Sequence, residues 1–441
     1  MNRTVYITFT IFMLTASFHL SHGQQQVIIY YDTVDQVREQ YTIINDDSSL
    51  IDGKYVMFYI TGELALTGNY DQGQKSGLFT EFYQSGGKKR EINFSDDLKN
   101  GEMLVYNEEG KLLQSAEFKN DSLTGMVKQY YPDGKLMSES EFVNGELNGK
   151  VTKYFASGMT SEEIHYLNGL QQGQHIEFYP DGATKSEAQY DAGMLDGFFK
   201  TYYPNGQLNT IYRNKKGEKN GDFKSYSQNG VLIKEGFYSN GKIDGVATTY
   251  YESGKIQSTN KYQEGVRVGE SLYYFESGQL MKSIRFSDEG STQQILEYHL
   301  NNTLKAEKHM SGGLPSNSWK YYYDNKKDSL TESYAKGKLN GLRLHYDRKG
   351  KITREEPYVF GQLIGNVIDY FPNGNIKTST QYKSNKKHGE IMSYFENGNV
   401  ESKGNFAANR KVGEWVYFDK KGNMIKKETY ENNKLVSEEN F

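Results

Sequence analysis

The chain has 441 residues, 14% of them aromatic, with 45 glycines and only 6 prolines. A mean hydropathy of -0.78 would suit a disordered chain. Disorder goes with few aromatics and a large net charge, however, and 52 basic against 56 acidic residues give a formal charge of only -4, so the chain folds. That balance offers no basic footprint for nucleic acid, and the absence of cysteine excludes disulfides, thiolate catalysis, cysteine-ligated zinc and lipidation on Cys.

Residues 1–23 carry Arg3, an apolar stretch from about residue 5 to residue 20, and the small residues Ser21 and Gly23 before Gln24. That is the pattern of a secretory signal peptide. Thr8, Thr10, Thr15 and His19 interrupt the stretch, which falls short of the roughly 18 to 20 apolar residues that span a bilayer. The chain from Gln24 onward is therefore expected to be exported, periplasmic or extracellular, without a transmembrane segment. Residues 24–52 stand outside the period described next. Residues 27–31 and 41–44 read as strands around a polar middle and predict an N-terminal cap for the first repeat.

From Gly53, steps of 24 residues land on Gly77, Gly101, Gly125, Gly149, Gly173, Gly197, Gly221, Gly245 and Gly269. The glycine is lost at Gln293 and Asn317 and returns at Gly341, Gly365, Gly389 and Gly413. Numbering each glycine as position zero, the fifth position is aromatic in all sixteen repeats, from Phe58 to Phe418. Chance would place roughly two such residues, so the period marks a repeat architecture. The ninth position is Gly except at Asn302 and Lys326, and the seventeenth is aromatic except at Asn214 and Met310.

Four repeats carry a proline turn, Pro132-Asp133-Gly134, Pro180-Asp181-Gly182, Pro204-Asn205-Gly206 and Pro372-Asn373-Gly374. Proline presets the first φ, Asp or Asn tolerates the next position and glycine supplies positive φ, the chemistry of a type I turn closing a hairpin with a bulge. Residues 127–131 and 136–142 on either side are strand-length and strand-favouring. A second turn, as at Asn144-Gly145, leads into the next hairpin. The fold class is thus all-β, an elongated, twisted, single-layer array of about sixteen β-hairpin repeats over residues 53–436, with 437–441 as a closing strand. Loss of both marker glycines predicts distorted hairpins in the repeats that start at Gln293 and Asn317.

The unit Gly-x-Φ-x-x-Tyr-Tyr-x-x-Gly-x-Leu, then Tyr-x-x-Gly-x-x-Asn-Gly, nearly complete in residues 125–149, resembles the MORN-repeat variant family over residues 53 to about 436. The resemblance implies a scaffold of stacked hairpins that binds protein or lipid, and the bacterial variant includes antitoxin components of polymorphic toxin systems. It brings no catalytic residues.

Alternation sends the fifth and sixth side chains to opposite faces. The fifth-position rings are expected to form a packing ladder between hairpins. The second position, apolar except at His175, Ser271 and Arg343, and the sixth, aromatic in eleven repeats, are expected to form a stripe left partly exposed. Its densest part runs through Tyr273 and Phe275, Ile295 and His299, and Trp319, Tyr321 and Tyr323, with a smaller cluster at Trp415 and Tyr417. These aromatic residues are the candidate partner-binding patch, because Trp and Tyr dominate interface hot spots and planar rings also stack on sugars.

Other motifs dissolve on inspection. Residues 236–243 have phosphate-loop spacing, but Ile243 stands where Ser or Thr is required and no helix follows. The histidines after residue 23 show no spacing that gathers two or three on one metal, so neither metal nor cofactor is expected. The pairs Glu162-Glu163 and Glu355-Glu356 read as solvated edge charges. The chain reads as a non-enzymatic scaffold binding a protein partner. The alternatives are an immunity component facing a toxin and a binder of cell-wall glycan; no basic stripe supports lipid.

Overall fold

The computed structural model describes residues 23–287 and 291–441; the leader assigned to residues 1–23 lies outside the described residues apart from Gly23. The described residues contain no helix, and hence none long and apolar enough to cross a membrane. All strands are antiparallel members of one 39-stranded sheet, so the chain is all-β. Two compact units are distinguished: residues up to Lys219 with Gln228–Gly230, and Asn220–Ser227 with Val231–Phe441. Each is a single layer in which strands contact their neighbours in sequence.

One hairpin explains the rest. The strand Ser122–Tyr130 turns through Pro132, Asp133 and Gly134 into Leu136–Val143. The Gly134 N–H donates to the Tyr131 carbonyl at 2.8 Å and the Tyr131 N–H to the Lys135 carbonyl at 2.8 Å. Gly134 takes φ 88°, and the pairing slips between Gln129 and Tyr130. This is the predicted bulged type I hairpin. At the second turn the Gly145 N–H donates at 2.8 Å to the carbonyl of Leu123, one hairpin back, so each turn is tied to its predecessor.

Within the hairpins that lack glycine the expected distortion does not occur, and the departure is confined to the junction before Gln293. Asn302 and Lys326 adopt φ 62° and 67° and keep the turn bonds to His299 and Tyr323 at 2.9 and 3.0 Å. Strain of about 1 to 2 kcal/mol per left-handed residue is tolerated there because the flanking ladders fix the turn. At Gln293 the strands Leu280–Phe286 and Thr292–Tyr298 pair without a bulge, which removes the need for glycine.

Residues directly opposed in an antiparallel pair share a face. The second position opposes the fifteenth, giving the row Phe79, Ile92, Met103 and Ala116. This row is the core: Phe79 is 5% exposed, and Ile92, Ala116, Val127, Val151 and Ile164 are buried with it. Phe79 is covered by the seventeenth-position rings on both sides, Tyr70 at 5.5 Å and Phe94 at 5.1 Å, and Gly68 leaves its ring the space a Cβ would fill. Burying such a ring stabilises by about 1.5 to 3 kcal/mol.

The two faces are therefore the reverse of the sequence expectation. At the fifth position Tyr106, Tyr154, Tyr250 and Tyr370 donate their hydroxyls to Glu91, Glu139, Glu235 and Glu355 of the preceding hairpin at 2.6 to 2.9 Å. Sixth-position tyrosines leave the strand and fasten successive repeats at the turn edge. Tyr59, Tyr83, Tyr131, Tyr179, Tyr251 and Tyr323 donate to the carbonyls of Phe82, Tyr106, Tyr154, Tyr202, Tyr274 and Tyr346 at 2.6 to 2.9 Å.

At the amino end Gln24–Tyr30 pairs with Val37–Ile44, which pairs in turn with Gly53–Phe58, and Tyr41 stacks on Tyr55 at 5.7 Å. Lys434–Asn440 pairs with Met424–Glu431 and is exposed along its whole length.

Candidate functional site

In the second unit the core row changes character. Between Gly245 and Tyr382 it reads Ala247, Asn260, Ser271, Ile284, Ile295, Lys308, Trp319, Glu332, Arg343, Glu356, Val367 and Thr380. Strand pairing places Trp319 opposite Glu332 and Arg343 opposite Glu356. The Trp319 indole N–H donates to the His309 carbonyl at 2.8 Å, and its ring packs on Tyr334 at 4.7 Å between centroids. Lys308 binds Glu297 at 2.9 Å while its ammonium lies 5.7 Å from the Trp319 ring and 5.3 Å from that of Tyr321, within cation–π reach.

Glu332 is only 5% exposed, accepts the Tyr334 hydroxyl at 2.9 Å and sits 3.0 Å from Arg343 Nε, as an ion pair off the line of a hydrogen bond. Arg343 extends to Glu356 at 3.7 Å, and Glu356 takes Arg354 at 2.8 Å and His345 at 3.2 Å. Arg354 also donates to Asp369 at 2.8 Å, and Asp369 holds Thr378 at 2.7 Å. Burial pushes the Glu356 carboxyl up, but the hydrogen bonds from Arg354 and His345 and their charges outweigh it and hold it below the usual carboxylate range. Burial, with the nearby Glu332 and Glu297 charges, pushes the Tyr321 hydroxyl up to about 12. Burial and the Glu332 bond raise Tyr334 further.

The structure gathers Trp319 and Tyr321 into this charged row and places the other sequence-predicted residues elsewhere. Tyr323 is a turn-edge fastener with Arg348 over its ring at 5.3 Å, and Phe275 occupies the equivalent turn position. Tyr273 bonds Asn260 at 3.1 Å under Lys282. Trp415 departs furthest from expectation: at 6% exposure it is a core residue between Phe406 and Tyr430, its indole lying where Gly404 has no Cβ. Tyr417 donates to Glu428 at 2.7 Å.

The acidic pairs are corrected as well. Each does straddle the two faces, but neither is a solvated edge. Glu356 is buried in the network above and Glu355 holds Tyr370, while Glu163 pairs with Lys150 and Glu162 with Lys153. Sequence reasoning missed the partners Lys308, Glu332, Arg343, His345 and Arg354, although the second and fifteenth positions of the 24-residue frame mark most of them.

Among the described residues, the first unit holds one group able to offer three ligand atoms to a cation. Glu162, His175 and Glu177 place those atoms within 4.8 Å of one another. His175 Nε2 is 2.8 Å from Glu162 Oε1, and its Nδ1 is 2.9 Å from Gln171 Nε2. Glu177 takes Lys185 at 3.1 Å and Ser186 at 3.2 Å; burial pushes its carboxyl up, and these partners pull it below its ordinary value. A cavity of about 320 Å³ opens beside the group, lined by His175, Glu177, Ser186, Thr201 and Tyr202 among others.

Tandem hairpins in a fixed 24-residue frame, with a constant backbone and a variable central row, define a β-hairpin repeat protein. The family model described as MORN repeat variant matches residues 99–120, 123–144, 195–212, 219–240, 243–264, 267–288, 363–384, 387–408 and 411–432. The chain belongs to the MORN repeat variant family. No curated protein matches it. Among solved structures, it is similar to a chain of the Tc holotoxin pore of Photorhabdus luminescens at 12% identity and TM-score 0.15, covering 92% of this chain and 27% of that one. A TcdB2-TccC3 structure matches at 13% identity and TM-score 0.14, covering 93% and 23%. The form without the hypervariable C-terminal region matches at 10% and 0.11, covering 92% and 30%. The chain thus spans under a third of the length of each.

Proposed function

We propose that the chain is a non-enzymatic repeat scaffold, exported from the cytoplasm, that binds a protein partner through the charged aromatic row centred on Trp319, Glu332 and Arg343. One observation carries this reading. The same frame accepts Phe79, Ile92 and Ala116, yet residues 308–356 spend it on Lys308, Glu332, Arg343 and Glu356. Taking ions out of water costs several kcal/mol each unless fully compensated, so an apolar filling would serve stability at least as well. Half-buried Trp, Tyr and Arg side chains are, by contrast, the groups that supply most interface energy. The pattern of residues 1–23 supports export.

The test uses residues 24–441 as bait against envelope and secreted fractions of the source organism. A single protein recovered stoichiometrically by the native chain and lost by a folded Trp319→Ala/Tyr321→Ala variant is the expected result. Identification of that protein as a toxin would specify an immunity role. Retention on cell-wall glycan with no protein recovered would replace the protein-binding reading with a carbohydrate one.

A further inference from the structure

We infer that Glu162, His175 and Glu177 form a site for one divalent transition-metal ion, with Zn²⁺ the best match to a donor set of one imidazole and two carboxylates. The site lies in the first unit and is independent of the partner-binding row. Its geometry follows from the hairpin frame: Glu162 and Glu177 are directly opposed in the pairing of Thr160–Leu167 with Leu170–Phe178, and His175 precedes Glu177 by two residues on the same face. Tetrahedral zinc with bonds of about 2.0 to 2.2 Å needs donor atoms about 3.3 to 3.6 Å apart. Rotamer changes of the two glutamates open the 2.8 Å Glu162–His175 contact and draw in the wider separations, which reach no more than 4.8 Å.

Two features distinguish the group from a chance meeting of charges. His175 stands at a second position, where the other repeats of this unit carry Tyr55, Phe79, Met103, Val127, Val151 and Phe199, so an imidazole has been placed in an otherwise apolar row. Its far nitrogen already faces the Gln171 side-chain amide at 2.9 Å, which, once turned to present its oxygen, gives the outer-shell acceptor that metal-bound histidines characteristically have. Metal at Nε2 moves the ring proton to Nδ1, and the Gln171 amide turns to present its oxygen; no proton leaves the protein. Lys153 and Lys185 stay on the other carboxylate oxygens, Glu162 Oε2 at 2.6 Å and Glu177 Oε2 at 3.1 Å, which caps the affinity. The adjoining cavity leaves room for water as the fourth ligand.

The experiment is calorimetric titration of residues 24–441 with ZnCl₂, paired with the visible spectrum of the Co²⁺ form. The expected result is one equivalent of Zn²⁺ and tetrahedral Co²⁺ bands. Both are lost in His175→Val, which carries the residue found at 127 and 151 and so preserves the row. Glu162→Gln weakens binding about tenfold or more and Gln171→Ala by a comparable factor. Absence of saturable Zn²⁺ heat, an unchanged titration in His175→Val, or an octahedral Co²⁺ spectrum would overturn the assignment.

Discussion

In the first unit the central row runs Phe79, Ile92, Met103, Ala116, Val127, Ser140, Val151 and Ile164; in the second, the same positions run Lys308, Trp319, Glu332, Arg343 and Glu356. Backbone pairing, turn geometry and the tyrosine fasteners are alike in both. The hairpin is therefore specified by its turns and ladders, and the row is a separate variable. Apolar filling gives the first stretch ring-on-ring packing around Phe79, whereas the second replaces it with a chain of ion pairs from Glu332 to Asp369 and a separate Lys308–Glu297 pair beside the Trp319 ring.

The contrast can be broken most directly at its apolar end. Phe79→Ala is expected to lose about 3 to 5 kcal/mol in urea denaturation, and half-buried Trp319→Ala clearly less; equal losses would mean that the two rows contribute alike. Next in size, Arg343→Met removes the cation facing buried Glu332 and is expected to destabilise by about 1 to 3 kcal/mol. The triple change Glu332→Leu/Arg343→Leu/Glu356→Leu should recover that stability while abolishing partner binding, because an apolar isostere of a buried ionic cluster is often neutral or better.

Acid sharpens the comparison further. The Glu356 carboxyl is depressed in the fold, so its contribution is fully present above the unfolded value of about 4.3 and is lost as pH falls from there through the folded value. Glu356→Gln should flatten this part of the acid unfolding curve, followed by tryptophan fluorescence, without shifting it near pH 7 in the opposite sense. The smallest effect concerns what the units share: Tyr83→Phe and Tyr323→Phe each delete one hydroxyl-to-carbonyl bond and should cost about 1 kcal/mol in thermal unfolding, with similar values in the two units.

Hairpin, turn type and repeat frame were legible because glycine, proline and aromatic spacing report backbone geometry directly, as residues 125–149 show. The face assignment was not. The fifth position is aromatic throughout and the second mostly apolar or aromatic, and the sequence does not say that the Tyr106 hydroxyl reaches Glu91 while Phe79 sits between Tyr70 and Phe94. Trp415 looked like an exposed anchor because the glycine that receives it, Gly404, lies eleven residues earlier on another strand. The link between Glu332 and Arg343, the latter noted only as an exception at an apolar position, escaped notice for the same reason: their partnership depends on which strands pair, and only the register turns the 24-residue frame into neighbours.

The tyrosine fasteners always join a sixth position to the fifth position of the following repeat, as Tyr83 joins Tyr106 and Tyr131 joins Tyr154. Junctions that carry this tyrosine are consequently interchangeable with one another. Unequal recombination that duplicates or excises one whole period between two of them rebuilds the same tie at the new boundary, so such an event changes the product by 24 residues at a time and carries a new row chemistry with each insertion.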